Sequence, residues 1–177
     1  SGKTTLVKII SGLITNFEGE IYIDNILIKD NNLLRKSAFL VQQNSNVIDE
    51  SIYENITFET YKSKKNKKFQ HSISNTNLLN LYEDIEDTKL GSSGSTLSGG
   101  EKQRIALARM FYNLKDIIIF DEATNSLDQD NEKLILKNLY KLKKNRIIVF
   151  ISHDQRKVIE ICKSIYKIQN QRIVKKK

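Results

Sequence analysis

The chain has 177 residues, 39% of them hydrophobic, which suits one domain with a buried core and is too short for two ordinary domains. Its longest apolar runs are of strand length, well short of the roughly 18 residues that a membrane helix needs, and its single cysteine excludes an internal disulfide. The net charge of +8 comes mainly from dispersed lysines, and the one dense cluster, 62–68, predicts a solvated loop, so we expect no nucleic-acid partner.

The first predicted element is a helix over Lys3–Leu13, which directly follows the second half of a G-x-x-x-x-G-K-[ST] phosphate-binding loop. In that pattern the glycine lets the backbone approach a phosphate, the lysine reaches the β- and γ-phosphates, and the next hydroxyl binds Mg²⁺. The helix N-terminus also favours anions. We therefore expect nucleotide phosphates to contact Ser1, Gly2, Lys3, Thr4 and Thr5. The first glycine of the pattern would fall before Ser1, so the sequence is expected to begin inside the motif.

The next elements are small. Alternation around an Asp-Asn turn predicts a hairpin over 18–28, and a short helix over Leu33–Ser37 leads into a buried strand at Ala38–Val41. From Ile52 to about Thr96 the pattern predicts a mostly helical insertion that ends in a Gly- and Ser-rich loop at 91–96.

The second half alternates strands and helices, which implies a parallel sheet covered on both faces. The predicted elements are a helix over Glu101–Asn113, a strand over 117–120, a helix over Gln129–Lys143, a strand over Arg146–Ser152, a helix over Gln155–Cys162 and a hairpin over 165–174.

Two adjacent acids and one histidine follow the core strands. Asp121 ends an apolar strand and is suited to hold Mg²⁺ through its waters, while Glu122 is suited to orient an attacking water. His153 comes directly after 146–152, so its imidazole is expected at the carboxyl edge of the sheet, where ligands bind in such folds.

Four further segments resemble the motifs of ATP-binding cassette (ABC) ATPases: the signature at Leu97–Glu101, the Walker B strand at Ile117–Glu122, the D-loop at Asn125–Asp128 and the H-loop at Ile151–Asp154. The resemblance implies an α/β P-loop NTPase of ABC type, with a parallel core sheet, flanking helices, a small antiparallel β part and a helical signature subdomain. Residues 1–177 would be one domain without its N-terminal strands, and about 52–112 would be the helical subdomain.

The resemblance also implies ATP and Mg²⁺ as cofactors. Glu122, His153 and Gln43 would be catalytic, and Thr4, Gln43 and Asp121 would contact the metal. In the resembled family the signature residues, here Ser98, Gly99 and Gly100, reach the nucleotide of a second ABC ATPase domain in a head-to-tail homo- or heterodimer. Asp128 would organise the seam of that dimer.

Two segments resemble those of ABC exporters: Glu50–Ile56 and Thr88–Gly94, the latter with Ser92 where exporters carry Glu. They favour a transmembrane domain fused upstream and a place at the cytoplasmic face of the cell membrane. Three alternatives stay open, namely an importer ATPase subunit, a soluble twin-cassette ATPase and a non-hydrolysing regulatory module. In the family's fold a strand that precedes the phosphate-binding loop lies beside the strand 146–152. That preceding strand would fall before Ser1, so we expect 146–152 to have an open, apolar side.

Overall fold

The computed structural model describes residues 2–60, 66–153, 159, 162–169 and 172–176. The residues outside this description include Ser1, residues 61–65 and most of the predicted helix 155–162. Lys67 and Lys68 of the basic cluster 62–68, which was expected to be a loop, lie instead at the start of a helix. The chain divides into two compact units. We name them the strand unit, which comprises Ser1–Leu40, Lys115–Glu122 and Leu142–Lys177, and the helical unit, which comprises Val41–Leu114 and Ala123–Lys141.

The strand unit begins with the predicted helix, hairpin and short helix, all of which are confirmed. They are α1 (Lys3–Ile10), β1 (Tyr22–Ile23), β2 (Ile26–Leu27) and α2 (Asn31–Ser37). The first helix ends three residues before the expected Leu13, because Gly12 adopts φ +71 and turns the chain. A Cβ at Gly12 would lie 2.7 Å from the carbonyl oxygen of Asn31, so no other residue fits there without a shift.

A three-stranded sheet forms the centre of the strand unit. Its order is β3-β4-β5, with β3 at Ala38–Val41, β4 at Ile117–Asp121 and β5 at Ile147–Ile151. The last two strands are parallel, as predicted, and pair from Ile117 with Ile147 to Asp121 with Ile151. Burial of aliphatic side chains on this sheet and on α1 stabilises the unit. This core contains Val7, Ala38, Ile117, Ile119 and Ile151.

β5 is the last strand in the order of this sheet, and a cavity of about 670 Å³ lies beside it. Its walls include Val7 and Ile10 of α1, the run Ile148–Ile151 and Ile165. Among the described residues no strand pairs with the outer side of β5, and apolar side chains line that side, as expected. The predicted C-terminal hairpin is also confirmed, as the antiparallel pair β6 (Tyr166–Gln169) and β7 (Arg172–Lys175).

Helices dominate the second unit. The predicted helical insertion forms α3 (Ile52–Thr57), α4 (Lys67–Asn75), α5 (Leu79–Asp84) and a 3₁₀ turn at Ser92–Gly94, followed by α6 (Gly99–Tyr112) and α7 (Gln129–Leu142). The apolar faces of α3 to α6 enclose a core of their own, in which Phe69 contacts the rings of Tyr53 and Tyr82 at centroid distances of 4.8 and 5.0 Å. Within the described part of the chain, no helix combines the length and apolarity needed to cross a bilayer.

Candidate active site

The end of β4 places two carboxylates next to each other in the strand unit. Asp121 is the last residue of the strand, and Glu122 then leaves the extended conformation with φ +55. The Glu122 amide donates a hydrogen bond of 3.1 Å to the carbonyl oxygen of Ile151 on β5, which holds this turn in place. A left-handed conformation at a residue other than glycine costs on the order of 1–3 kcal/mol, and such residues cluster at functional sites.

Glu122 and His153, both expected at this edge of the sheet, are brought together. Nε2 of His153 lies 2.9 Å from Oε1 of Glu122. The glutamate side chain is only 20% exposed, whereas the histidine side chain is 74% exposed. The imidazole can therefore orient the carboxylate while keeping much of its own surface open to a ligand.

The start of α1 carries the predicted phosphate contacts. Gly2 precedes the helix with φ +76, and its carbonyl oxygen accepts from the Leu6 amide at 3.0 Å. Lys3 is half-buried, while Thr4 and Thr5 are exposed. Helix α1 packs through Val7 on the core that contains β4, so these groups belong to the same unit as the acids. The Ser1 contact proposed from the sequence lies outside the described residues.

The signature segment starts α6 in the helical unit. Ser98 is the N-cap, and its hydroxyl and amide both donate to Oε2 of Glu101 at 2.8 Å, while the Glu101 amide donates back to the hydroxyl at 3.3 Å. Burial raises the pKa of the Glu101 carboxyl, but the hydrogen bonds from Ser98 and the charge of Arg104 outweigh it, so the pKa lies below its usual value. Ser98 and Gly99 are exposed, which leaves the helix start accessible to an anion.

The D-loop segment, which includes Asp128, lies in the helical unit together with the signature residue Gly100. A Cβ at Gly100 would lie 3.2 Å from the carbonyl oxygen of Ser126, so the absence of a side chain permits this close approach. Asp128 is exposed and accepts from the amide of Asn131 at 2.9 Å and from its Nδ2 at 2.6 Å, at the start of α7. These two bonds lower the pKa of the Asp128 carboxyl.

Gln43 is exposed and follows β3 by two residues. Its neighbours Gln42 and Ser45 are held by Gln103 of α6, a residue that sequence reasoning missed. The available signal was a glutamine four residues before Leu107, on the predicted apolar face of the helix.

Asn55 and Arg109 were missed as well. The Asn55 side chain is fully buried, accepts from the Ile48 amide at 2.9 Å and donates to three backbone carbonyls. Arg109 donates to the Asn55 carbonyl oxygen at 2.6 Å and to its Oδ1 at 2.9 Å. Burial lowers the pKa of Arg109 to about 10, so the guanidinium stays charged at neutral pH and stabilises these acceptors.

The candidate residues thus fall into two groups. The strand unit carries Gly2, Lys3, Thr4, Thr5, Asp121, Glu122 and His153, and the helical unit carries Gln43, Ser98, Gly99, Gly100 and Asp128. The proposed metal contacts are a hydroxyl, an amide and a carboxylate, which are the hard oxygen donors that Mg²⁺ prefers. In the described ranges no group of three or more His, Cys, Asp or Glu side chains converges. Such a sparse donor set fits a Mg²⁺ ion that keeps several waters and takes phosphate oxygens as ligands.

The chain is similar in sequence to ABC transporter proteins. The family model described as ABC transporter matches residues 1–125. The chain is 35% identical over 158 residues to an ATP-dependent lipid A-core flippase of Francisella tularensis subsp. holarctica (strain OSU18), with 86% of this chain and 26% of that protein covered. It is 36% identical over 156 residues to the microcin-J25 export ATP-binding/permease protein McjD of Escherichia coli, with coverages of 86% and 27%.

Among solved structures, a bacterial Atm1-family ABC exporter with ATP bound matches with a TM-score of 0.86 and 26% identity. That match covers 98% of this chain and 31% of the exporter chain. The chain therefore spans about a quarter of the length of the curated relatives that it matches.

Proposed function

The chain belongs to the ABC transporter family, and from this premise we propose that it binds ATP with Mg²⁺ and hydrolyses it to power export across a membrane. The observation that carries the hydrolytic step is the contact of 2.9 Å between Glu122 and His153 at the carboxyl edge of two parallel strands. In this proposal residues 1–177 act as one ATPase domain, with a helical subdomain at about 52–112.

The strand unit binds the nucleotide. Gly2 and the first amides of α1 receive the phosphates, Lys3 neutralises the β- and γ-phosphate charge, and Thr4 and Asp121 hold Mg²⁺. Bound Mg²⁺ supplies charge neutralisation on the phosphate oxygens.

Glu122 orients and polarises the attacking water, and His153 both steadies the Glu122 carboxylate and contacts the γ-phosphate. This division is supported by exposure, since the histidine side chain is 74% exposed and the glutamate side chain 20% exposed.

The helical unit completes the site of a second ABC ATPase domain, in a homo- or heterodimer. Ser98, Gly99 and Gly100 contact the γ-phosphate bound by a partner ATPase domain in a head-to-tail dimer, and Asp128 lies at the seam. The exposed start of α6 supports this assignment, because an accessible helix N-terminus favours an anion. Gln43 contacts Mg²⁺ or the lytic water and communicates with the transmembrane partner.

A transmembrane domain fused to the chain supplies the transport path and holds the ATPase at the cytoplasmic face of the cell membrane. The relatives support this assignment, since one is named an export ATP-binding/permease protein and another a flippase. The segments at 50–56 and 88–94 support the exporter class in the same way.

The test is Glu122→Gln in the protein as its gene encodes it. The amide keeps the shape of the side chain but cannot polarise water, so turnover should fall by roughly 10² or more while the Kd for ATP changes little. ATP should then trap a stable dimer. Phosphate release, ATP titration and light scattering with Mg²⁺ measure the three quantities. Glu83→Gln removes an exposed carboxylate from α5 and should behave as wild type. Wild-type turnover in Glu122→Gln would refute the assignment and favour a different base.

A further inference from the structure

The short segment that carries Gln43 is tied to helix α6 by one side chain. Oε1 of Gln103 accepts from the Ser45 hydroxyl at 3.0 Å, and its Nε2 donates to the Gln42 carbonyl oxygen at 3.3 Å. The two contacts flank Gln43, which is itself exposed. The tie therefore holds the backbone just before this residue and the Ser45 side chain two residues after it, and it leaves the Gln43 side chain accessible.

The chemistry of this tie requires an amide. Gln103 is 2% exposed, and both polar atoms of its side-chain amide are used, Oε1 as acceptor and Nε2 as donor. A carboxylate would lose the donor, and an aliphatic side chain would lose both bonds, leaving the Gln42 carbonyl and the Ser45 hydroxyl only their long mutual contact of 3.5 Å.

The tie also relates two candidate functional elements to each other. Gln103 lies on the helix that Ser98 caps, five residues after this N-cap, so the anchor is about 7.5 Å along the helix axis from Ser98. An α-helix is stiff over this length. Gln43 and the signature start therefore belong to one body within the helical unit.

We propose that Gln103 is a positioning residue, which holds Gln43 at a fixed place relative to the signature helix. Nucleotide binding at Gln43 is thereby coupled to the signature segment, and nucleotide binding at the signature is coupled to Gln43. The proposal rests on the function proposed above, because Gln43 acts on nucleotide only if the chain is an ATPase. It adds a mechanical link that neither the motifs nor the resemblance supplies.

Gln103→Ala in the protein as its gene encodes it removes both bonds. Amide hydrogen exchange over 42–47 should become at least about tenfold faster. The kcat for ATP should fall about tenfold with KM within twofold, since the phosphate contacts of the strand unit are untouched and only the placement of Gln43 is lost. In wild type, ATP should slow exchange over both 42–47 and 98–102. In the variant the two segments should respond independently.

Ser45→Ala is the milder variant and removes only the hydroxyl contact. It should give a smaller fall in kcat, and the double variant should be no worse than Gln103→Ala, because both changes break one tie. Gln70→Ala truncates an exposed glutamine on α4 and should match wild type. A urea midpoint for each variant separates loss of placement from loss of folded protein.

The outcomes separate the two proposals. Active wild type with unchanged kcat in Gln103→Ala, or a fall no larger than the loss of folded protein, overturns the positioning role and leaves the ATPase assignment standing. An inactive wild type overturns both, even if exchange shows that the tie exists. Unchanged exchange over 42–47 in Gln103→Ala overturns the tie itself.

Discussion

The two units hold their candidate site residues by different means. In the strand unit, Glu122 and His153 follow adjacent parallel strands, so the strand register and the hydrogen-bonded turn at Glu122 bring their side chains to 2.9 Å. In the helical unit, hydrogen bonds from single side chains hold the candidate site residues in place. Ser98 caps a helix, while the buried side chains of Gln103 and Asn55 bind the backbone of loops. Strand pairing depends on many backbone hydrogen bonds, none of which a side-chain substitution removes. A substitution of one buried amide, by contrast, removes all the hydrogen bonds that its side chain makes. Single substitutions should therefore disturb the helical unit more selectively than the strand unit.

The largest expected effect comes from Ser98→Arg. The long cation would obstruct the exposed start of α6, so formation of the proposed dimer and ATP hydrolysis should both be abolished, while binding of ATP to the strand unit should stay within about twofold. Titration calorimetry, light scattering and phosphate release report the three properties.

Ser74→Arg provides the matched control for Ser98→Arg, since it makes the same change at an exposed position of α4. Parallel losses of binding and turnover in Ser98→Arg would instead place the signature in the pocket of its own subunit. The division of roles, in which the strand unit binds the nucleotide and the helical unit contacts the nucleotide of a partner, would then be wrong.

Asn55→Ala should produce the next largest effect, on stability. It leaves the Ile48 amide without its side-chain acceptor, removes one of the donors to each of three carbonyl oxygens and deprives the half-buried Arg109 of one acceptor. The free energy of unfolding should fall by about 2–4 kcal/mol, measured by urea titration.

Binding of ATP to the folded fraction of Asn55→Ala should not change, which separates its stability effect from nucleotide binding. Asn80→Ala, at an exposed site on α5, should lie within about 0.5 kcal/mol of wild type. An equally stable Asn55→Ala protein would show that the helical unit does not depend on single buried amides.

The smallest effect is expected for Glu101→Gln and depends on pH. The pKa of Glu101 is lowered on folding, so its contribution to stability is present above the unfolded pKa and is lost as pH falls through the folded pKa. Glutamine still accepts from Ser98 but lacks the charge, so near pH 7 the urea midpoint should fall only slightly.

Below about pH 4.5 the Glu101→Gln variant should lose less stability than wild type, which urea titrations at successive pH values would detect. Glu83→Gln controls for the loss of one carboxylate. Identical acid profiles for Glu101→Gln and wild type would mean that the cap of α6 is not electrostatic.

Much of the fold follows from local pattern in the sequence. The apolar runs around Ile117 and Ile147 predict two core strands, and both form with parallel pairing. The phosphate-loop pattern likewise predicts α1, although Gly12 ends that helix earlier than its apolar spacing suggests. Such elements are predictable because periodicity and turn residues act over a few positions.

The support of the candidate site could not be predicted in this way. Gln103 reaches partners about 60 residues away in the chain, at Gln42 and Ser45, and Arg109 reaches Asn55 over 54 residues. Helical spacing says which face of a helix is apolar, but not which distant carbonyl a buried amide will meet. The positive φ of Glu122 is equally invisible, because a glutamate after a strand carries no local signal for it.

The parallel register of β4 and β5 also limits where the chain can change length. Asp121 pairs with Ile151, and Glu122 and His153 follow their strands by one and two residues. One inserted or deleted residue within either strand would turn every later side chain to the opposite face and shift it by about 3.3 Å. The same insertion at Asn145, an exposed residue in the connection before β5, would leave the pairing intact. Length variation should therefore be tolerated before β5 and absent from the strands themselves.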